Sequence, residues 1–139
     1  IIVDDVGEQW EEVVAKYVCE GKICGLFHGR MEFGPRALGN RSILADARKK
    51  ETKDILNSVI KGRPSFQPFC PSILEEDREK LFVRSYSNKH MTCAFQMKPE
   101  FVEVLPSAVH IDGTARPQFV EESDNQSFYN ILKSLAILH

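Results

Sequence analysis

Fifteen consecutive residues, His28 to Ser42, carry the densest chemical signal in the sequence: three glycines (Gly29, Gly34, Gly39) and three arginines (Arg30, Arg36, Arg41). Glycine allows positive φ and lets backbone approach a ligand closely, while arginine offers a planar five-donor fork that matches phosphate or carboxylate oxygens. The pattern predicts an anion cradle. It is neither a P-loop nor a dinucleotide fingerprint, because G-x-x-x-x-G-K-[ST] and G-x-G-x-x-G are both absent. The competing reading is a Gly/Pro surface turn whose arginines pair with Glu32 and Asp46.

Two further clusters follow. Lys61 lies one turn beyond Asn57 on the same expected helix face, and Arg63 comes just past the helix end. A Lys-x-Arg at that point can supply two cations to one polyphosphate, although a basic residue there also complements the helix C-terminal dipole. The third cluster runs from His110 to Gln118 and loads a turn, Asp112-Gly113-Thr114, with donors and acceptors. By period-two alternation Arg116 and Gln118 share a sheet face, and Pro117 confines that segment to an edge or a bulge. His110 is the best-placed titratable group, with hydrogen bonding as its commoner use. No Ser/His/Asp, Cys/His or metal-ligand set is spelled out, so no catalytic residue and no metal ligand is assigned.

These clusters need elements to hold them. Trp10, Val13, Val14, Tyr17 and Val18 recur at helical spacing, which predicts an amphipathic helix over Glu8 to Cys19, with Asp5 and Glu8 at capping-box spacing and Gly21 beyond its end. Ile23 to Phe27 reads as a short buried strand that leads into the Gly/Arg loop. Ile55, Leu56, Val59 and Ile60 predict one apolar face of a helix over Thr52 to Ile60, stopped by Gly62. Pro64, Pro68 and Pro71 forbid regular structure in the next stretch. A short helix over Glu75 to Phe82 follows, then a strand through Met91, Cys93, Phe95 and Met97, and then strands Ala108 to Ile111 and Arg116 to Glu121 as a hairpin about the Asp112-Gly113-Thr114 turn. Phe128, Ile131, Leu132 and Leu135 predict a last helix. The order is α-β-loop-α-loop-α-β-β-β-α, an α/β (α+β) chain with helices packed on a mixed sheet and no internal repeat.

Composition sets outer bounds. The chain has 139 residues, 42% hydrophobic and 27% charged, with a net charge of −2, the balance of one globular domain. Between His28 and Arg63 nine basic residues meet four acidic ones, a local balance of +5 that leaves −7 for the remainder. Positive charge is therefore concentrated where anions would be attracted. Cys19, Cys24, Cys70 and Cys93 form no C-x-x-C pair and are read as small, mostly buried residues of a reduced, cytoplasmic protein. No apolar run is long enough to span a bilayer and no basic-then-apolar leader opens the chain, so no membrane partner is expected. Ile1 in place of methionine and an apolar run at the end predict an excised piece, residues 1–139 forming one domain of a longer protein.

At these clusters the sequence resembles the C-terminal domain of the NodU/CmcH-type O-carbamoyltransferases. Gly29 to Ser42 reads like that family's Gly-Arg-Met-Glu-Phe-Gly-Pro-Arg-Ala-Leu-Gly-Asn-Arg-Ser run, continued by Ile43 to Asp46. Asn57, Lys61-x-Arg63, Phe66-x-Pro68-Phe69-x-Pro71-Ser72, Met91-Thr92 and His110-x-Asp112-Gly113-Thr114-Ala115-Arg116-x-Gln118 follow in the family's order. The resemblance implies a YrdC-like twisted sheet of mixed parallel and antiparallel strands with packed helices, truncated at the C-terminus before an Asn-Thr-Ser-Phe-Asn strand. It implies binding of ATP and carbamoyl phosphate and formation of carbamoyl-adenylate. A separate N-terminal, Kae1-like transferase domain, absent here and holding the iron, would then carbamoylate a hydroxyl of a sugar, antibiotic or nodulation factor. Mapped by position, Arg30, Arg36, Arg41 and Ser42 would hold phosphates, Lys61 and Arg63 would grip the triphosphate, and Arg116 would form a third wall, with His110, Asp112 and Thr114 as secondary candidates. Mg²⁺ is expected with the nucleotide, because the substrates' charge exceeds what a few cations offset. The alternative is a non-catalytic RNA-binding or structural module on the same fold. Nucleic acid is disfavoured because Phe33 is the only aromatic between Arg30 and Arg63.

Overall fold

The computed structural model of the chain describes residues 5–138. A 3₁₀ turn over Gly7–Gln9 runs into helix α1, Trp10–Cys19, which buries Ala15 and Val18. The expected capping box is not formed: Asp5 accepts the Gly7 amide at 3.0 Å and no side chain caps α1. The 3₁₀ turn displaces the helix start beyond the reach of Asp5. Gly21 does take the left-handed conformation after the helix, at φ 85°.

Strand β1, Cys24–Phe27, pairs antiparallel with β2, Arg41–Leu44, in the register Cys24 with Leu44 and Phe27 with Arg41. The Gly/Arg segment is therefore the connection of a hairpin, and its last residues, Arg41 and Ser42, belong to a strand rather than to the loop. Helix α2, Lys50–Ile55, widens into a π-helical turn over Leu56–Lys61 and stops at Gly62, whose φ is 57°. The expected apolar face is corrected by that turn. Its i→i+5 bonding abandons the 3.6 period, so Leu56 and Asn57 are buried while Ile55, Val59 and Ile60 are exposed.

Next come β3, Ser72–Leu74, a 3₁₀ turn over Glu75–Asp77, α3, Arg78–Leu81, and β4, Phe95–Gln96. Then follow α4, Pro99–Val102, β5, Thr114–Ala115, β6, Gln118–Val120, and α5, Gln126–Ile137, capped by the Asn125 side chain on the Phe128 amide at 3.1 Å. The fold is mixed α+β. Parallel and antiparallel pairing are both present, spread over three two-stranded sheets: β1 with β2 and β4 with β5 antiparallel, β3 with β6 parallel.

The expected hairpin of 108–111 with 116–121 does not form. His110 instead donates its amide to the Thr114 carbonyl at 2.8 Å in a tight turn, and β5 and β6 go to different partners. Between them sits Pro117, buried and without an amide to donate, which interrupts any continuous ladder. The strand expected through Met91 shortens to Phe95–Gln96, extended by a Phe82–Met97 bridge, because Met91 takes a left-handed φ of 54°.

The β3–β6 pair separates two cores by simple alternation. Leu74 and Val120 point into a cluster with Ala15, Phe128, Tyr129 and Ile131, while Ile73 and Phe119 point into one with Phe82, Phe95, Met97 and Ala115. Burial on both faces explains why β6 is apolar at consecutive positions. In the second core Phe82 meets Phe119 edge-to-face at 5.6 Å and Phe95 at 6.1 Å. Cys19, Cys24, Cys70 and Cys93 form no disulfide and are half-buried rather than mostly buried as expected, and among the described residues no helix is long and apolar enough to cross a membrane.

Candidate anion site

The loop 28–40 is held shut at its base. From β2 the Arg41 guanidinium donates to the carbonyls of His28 at 2.6 Å, Asn40 at 2.9 Å and Gly29 at 3.3 Å, and its plane lies 3.8 Å from the Phe27 ring centre. His28 in turn lies 4.6 Å from the Trp10 ring. Ser42 accepts the Gly39 amide at 2.9 Å. Asn40 donates to the Arg30 carbonyl at 3.0 Å and accepts from Asn125 at 2.7 Å, which ties the loop to the start of α5. Arg41 and Ser42, expected as phosphate ligands, are thus engaged in shaping the loop.

Gly39 makes the closest approach. With φ at 113°, it presses on Phe128 so tightly that an added Cβ would stand 2.4 Å from a ring carbon. Beside it, Gln118 donates to the Leu38 carbonyl at 2.9 Å and accepts from Ser72 at 3.1 Å. Gln118 is buried and committed to the loop, so the expectation that it and Arg116 reach one ligand is replaced by a division of labour.

The tip of the loop and Arg116 line one cleft of about 300 Å³. Arg36 and Arg116 supply its cations, Phe33, Pro35 and Leu38 its apolar wall, and His90, Met91 and Thr92 its far side. Arg116 is steadied by Cys70, whose sulfur lies 3.3 Å from both Nε and Nη2. The far side is organised by buried Asn88, which accepts from the Thr92 hydroxyl at 2.8 Å and donates to the carbonyls of Cys93 and Pro117, each at 3.2 Å. His90, Phe33 and Thr92 were not singled out as site residues from the sequence; the only local hint was Met91-Thr92. An isolated His followed by Met gives no spacing signal, since its place depends on the backbone reversal at Met91.

Lys61 is the last residue of the π-helical turn and Arg63 follows its Gly62 cap. Lys61 is exposed. Arg63 donates to the Asn57 side chain at 2.6 Å and lies 4.5 Å from the Phe69 ring centre. Asn57, fully buried, also holds the carbonyls of Gln67 at 2.9 Å and Ser65 at 3.3 Å. The sequence neighbours Phe69 and Cys70 thus touch Arg63 and Arg116 respectively. Arg30 is exposed on the loop. The secondary candidates stand outside the cleft lining: Asp112 accepts from the Thr114 hydroxyl at 2.7 Å and its amide at 3.0 Å, and His110 contributes its backbone to the same turn. Those two bonds hold the Asp112 carboxyl below the usual carboxylate range, the hydroxyl contributing most.

Electrostatically, none of the loop's own arginines, Arg30, Arg36 and Arg41, pairs with Glu32 or Asp46. Asp46 forms its ion pair with Arg48 at 2.6 Å, whereas Glu32 takes the backbone amides of Leu38 and Asn40. Among the described residues Arg30, Arg36, Arg41, Lys61, Arg63 and Arg116 make no ion pair. No group of three His, Cys, Asp or Glu able to hold a metal occurs among them either.

Comparison with known proteins gives a consistent result. The family model described as carbamoyltransferase C-terminus matches residues 15–138. An uncharacterised protein of Methanocaldococcus jannaschii is 60% identical over 133 residues, 96% of this chain and 22% of that protein. Nodulation protein NolO of Bradyrhizobium diazoefficiens is 41% identical over 86% of this chain and 22% of its own length. The 3'-hydroxymethylcephem-O-carbamoyltransferase of Streptomyces clavuligerus is 33% identical over 92% of this chain and 25% of its own length. The chain thus spans about a quarter or less of each of these relatives.

Proposed function

The chain belongs to the carbamoyltransferase C-terminus family, and from that premise we propose that it binds ATP and carbamoyl phosphate and forms carbamoyl-adenylate for transfer to a hydroxyl acceptor. The observation that carries this reading is the pair Arg36 and Arg116, which line one cleft while neither meets a carboxylate. Two guanidinium groups lining one concavity without a carboxylate partner repel each other, and a phosphate-bearing ligand offsets that repulsion.

The reaction fits what such a surface can supply. Water cleaves carbamoyl phosphate to carbamate and inorganic phosphate, and a carbamate oxygen then attacks the α-phosphorus of ATP, so that the new P–O bond of carbamoyl-adenylate forms as the bond to pyrophosphate breaks. Charge spreads over the phosphoryl oxygens, so fixed cations and positioning contribute more than a general base. Arg36 and Arg116 hold the phosphates, and the exposed Phe33 ring with Met91 offers an apolar wall to the rest of the nucleotide; Lys61, Arg63 and Arg30, none of which lines the cleft, are carried as phosphate ligands by their motif positions alone. Mg²⁺ would neutralise phosphate charge. Such an ion would be held mainly by the phosphates and needs few dedicated protein ligands. Transfer to the acceptor would fall to an N-terminal domain of a longer protein.

The test is calorimetric titration with ATP plus Mg²⁺ and then carbamoyl phosphate, on the chain and on Arg36→Ala and Lys61→Ala. Saturable binding that weakens at least tenfold in Arg36→Ala is expected for loss of one charged phosphate contact. Binding unaffected by both substitutions would refute this site.

A further inference from the structure

Glu32 stands in an odd place for a carboxylate, three residues or fewer from exposed Arg30, Met31 and Phe33 and inside the most basic segment of the chain. Its neighbours Met31 and Phe33 are 84% and 104% exposed, yet Glu32 turns inward. One oxygen, Oε1, accepts the amide of Leu38 at 2.7 Å and that of Asn40 at 2.9 Å. The intervening Gly39 amide goes to Ser42 at 2.9 Å. Three successive amides are thus satisfied by side chains. Because Glu32 closes on residues six and eight positions away, the five residues between, Phe33 to Ala37, are set apart as a tip, and that tip carries Arg36 and Phe33 into the cleft.

Resting on the anion-site reading above, we propose that Glu32 is the positioning residue of the cleft: it staples the tip so that Arg36 faces Arg116, and by spending its charge on backbone amides it leaves both arginines free for an anion. Two alternatives are open to a carboxylate here. Pairing with Arg36 would neutralise the site, and pointing to solvent would leave the tip without an anchor on this side. Accepting two amides with one oxygen avoids both, because the side chain is then engaged with backbone and the tip gains its anchor. The second anchor of the tip is Gln118 on the Leu38 carbonyl at 2.9 Å, so Leu38 is held through both its amide and its carbonyl. Reach, not charge, is what the staple needs from residue 32.

Reach and charge can be separated with three substitutions. Glu32→Gln keeps the carbonyl acceptor at the same length and loses the charge, Glu32→Asp keeps the charge and is one methylene too short, and Glu32→Ala loses both. Pyrophosphate is titrated calorimetrically into each folded variant, into Arg36→Ala, and into the Glu32→Ala/Arg36→Ala double variant. Expected are affinity within about twofold of the parent for Gln, a loss of about tenfold for Asp and Ala, and no further loss on adding Glu32→Ala to Arg36→Ala, because Glu32 acts through Arg36. Amide exchange at Leu38 and Asn40 speeds in Asp and Ala but not in Gln. Parent-like binding by Asp with loss in Gln, or additive losses in the double variant, overturns the proposal. If Ala does not fold, the Gln and Asp pair decides. If the parent chain itself binds no pyrophosphate, the anion-site reading fails and the proposal with it, while exchange unchanged across all variants would overturn the staple independently of any ligand.

Discussion

Replacing Gly39 with alanine probes how the basic loop is anchored to the rest of the chain. The backbone at Gly39 has φ 113°, a region that residues with a Cβ rarely enter, at a cost of about 1–3 kcal/mol. The new methyl would also stand 2.4 and 2.5 Å from two ring carbons of Phe128 and 3.0 Å from its Cβ. Phe128 is 2% exposed and packed among Ala15, Leu74, Val120 and Ile131, so the ring cannot swing aside without moving α5. Overpacking of that kind costs about 1–3 kcal/mol more. The total centres near 4 kcal/mol, which lowers Tm by roughly 8–15 °C for a domain of this size. Urea unfolding followed by circular dichroism measures the first figure, with an unchanged m-value as the sign that the transition is comparable. Adding Phe128→Leu separates the two causes. In that background the packing share shrinks, and Gly39→Ala then costs about 2 kcal/mol for the backbone alone. A total loss below about 1 kcal/mol, or the same loss in both backgrounds, would refute the close approach of loop and helix.

Three other outcomes follow from the same contacts. Asn57→Ala strands the carbonyls of Ser65 and Gln67 and removes the partner of Arg63, so stability falls by about 2–4 kcal/mol in urea unfolding; a loss under about 0.5 kcal/mol would mean that Asn57 does not organise the proline-rich segment. Arg41→Ala removes a guanidinium from three carbonyls and destabilises by about 2–3 kcal/mol, whereas Arg36→Ala stays within about 0.5 kcal/mol; parallel unfolding curves test this, and a reversed order would exchange their roles. Asp112 titrates below the ordinary carboxylate range, so its contribution to the 112–114 turn is present above its unfolded pKa and disappears as pH falls through the lowered folded value. Thr114→Val raises the Asp112 midpoint in an NMR titration, and an unmoved midpoint would show that the hydroxyl is not its main partner.

Local order was legible in residues whose signal needs no partner. The helical periodicity of Val14 and Val18, the stop at Gly21, the stop at Gly62 and the helix through Phe128 and Ile131 all depend on neighbours within a turn or two, and each stands where the pattern places it. The concentration of arginine and glycine in 28–42 was equally plain, because composition alone carries it. What tertiary structure decided is which of those arginines is available. Arg41 and Arg36 look alike in sequence, yet one is consumed by the carbonyls of a hairpin base and the other rides a tip into a cleft with Arg116, eighty residues later in the chain. Tertiary structure also decided the pairing of β5 with β4 and of β6 with β3, the placement of His90 by the left-handed Met91, and the inward turn of Glu32. None follows from periodicity or propensity: the strand pairings join residues remote in sequence, the Glu32 bonds reach six and eight residues along an irregular loop, and the positive φ of Met91 is a backbone conformation its residue type disfavours.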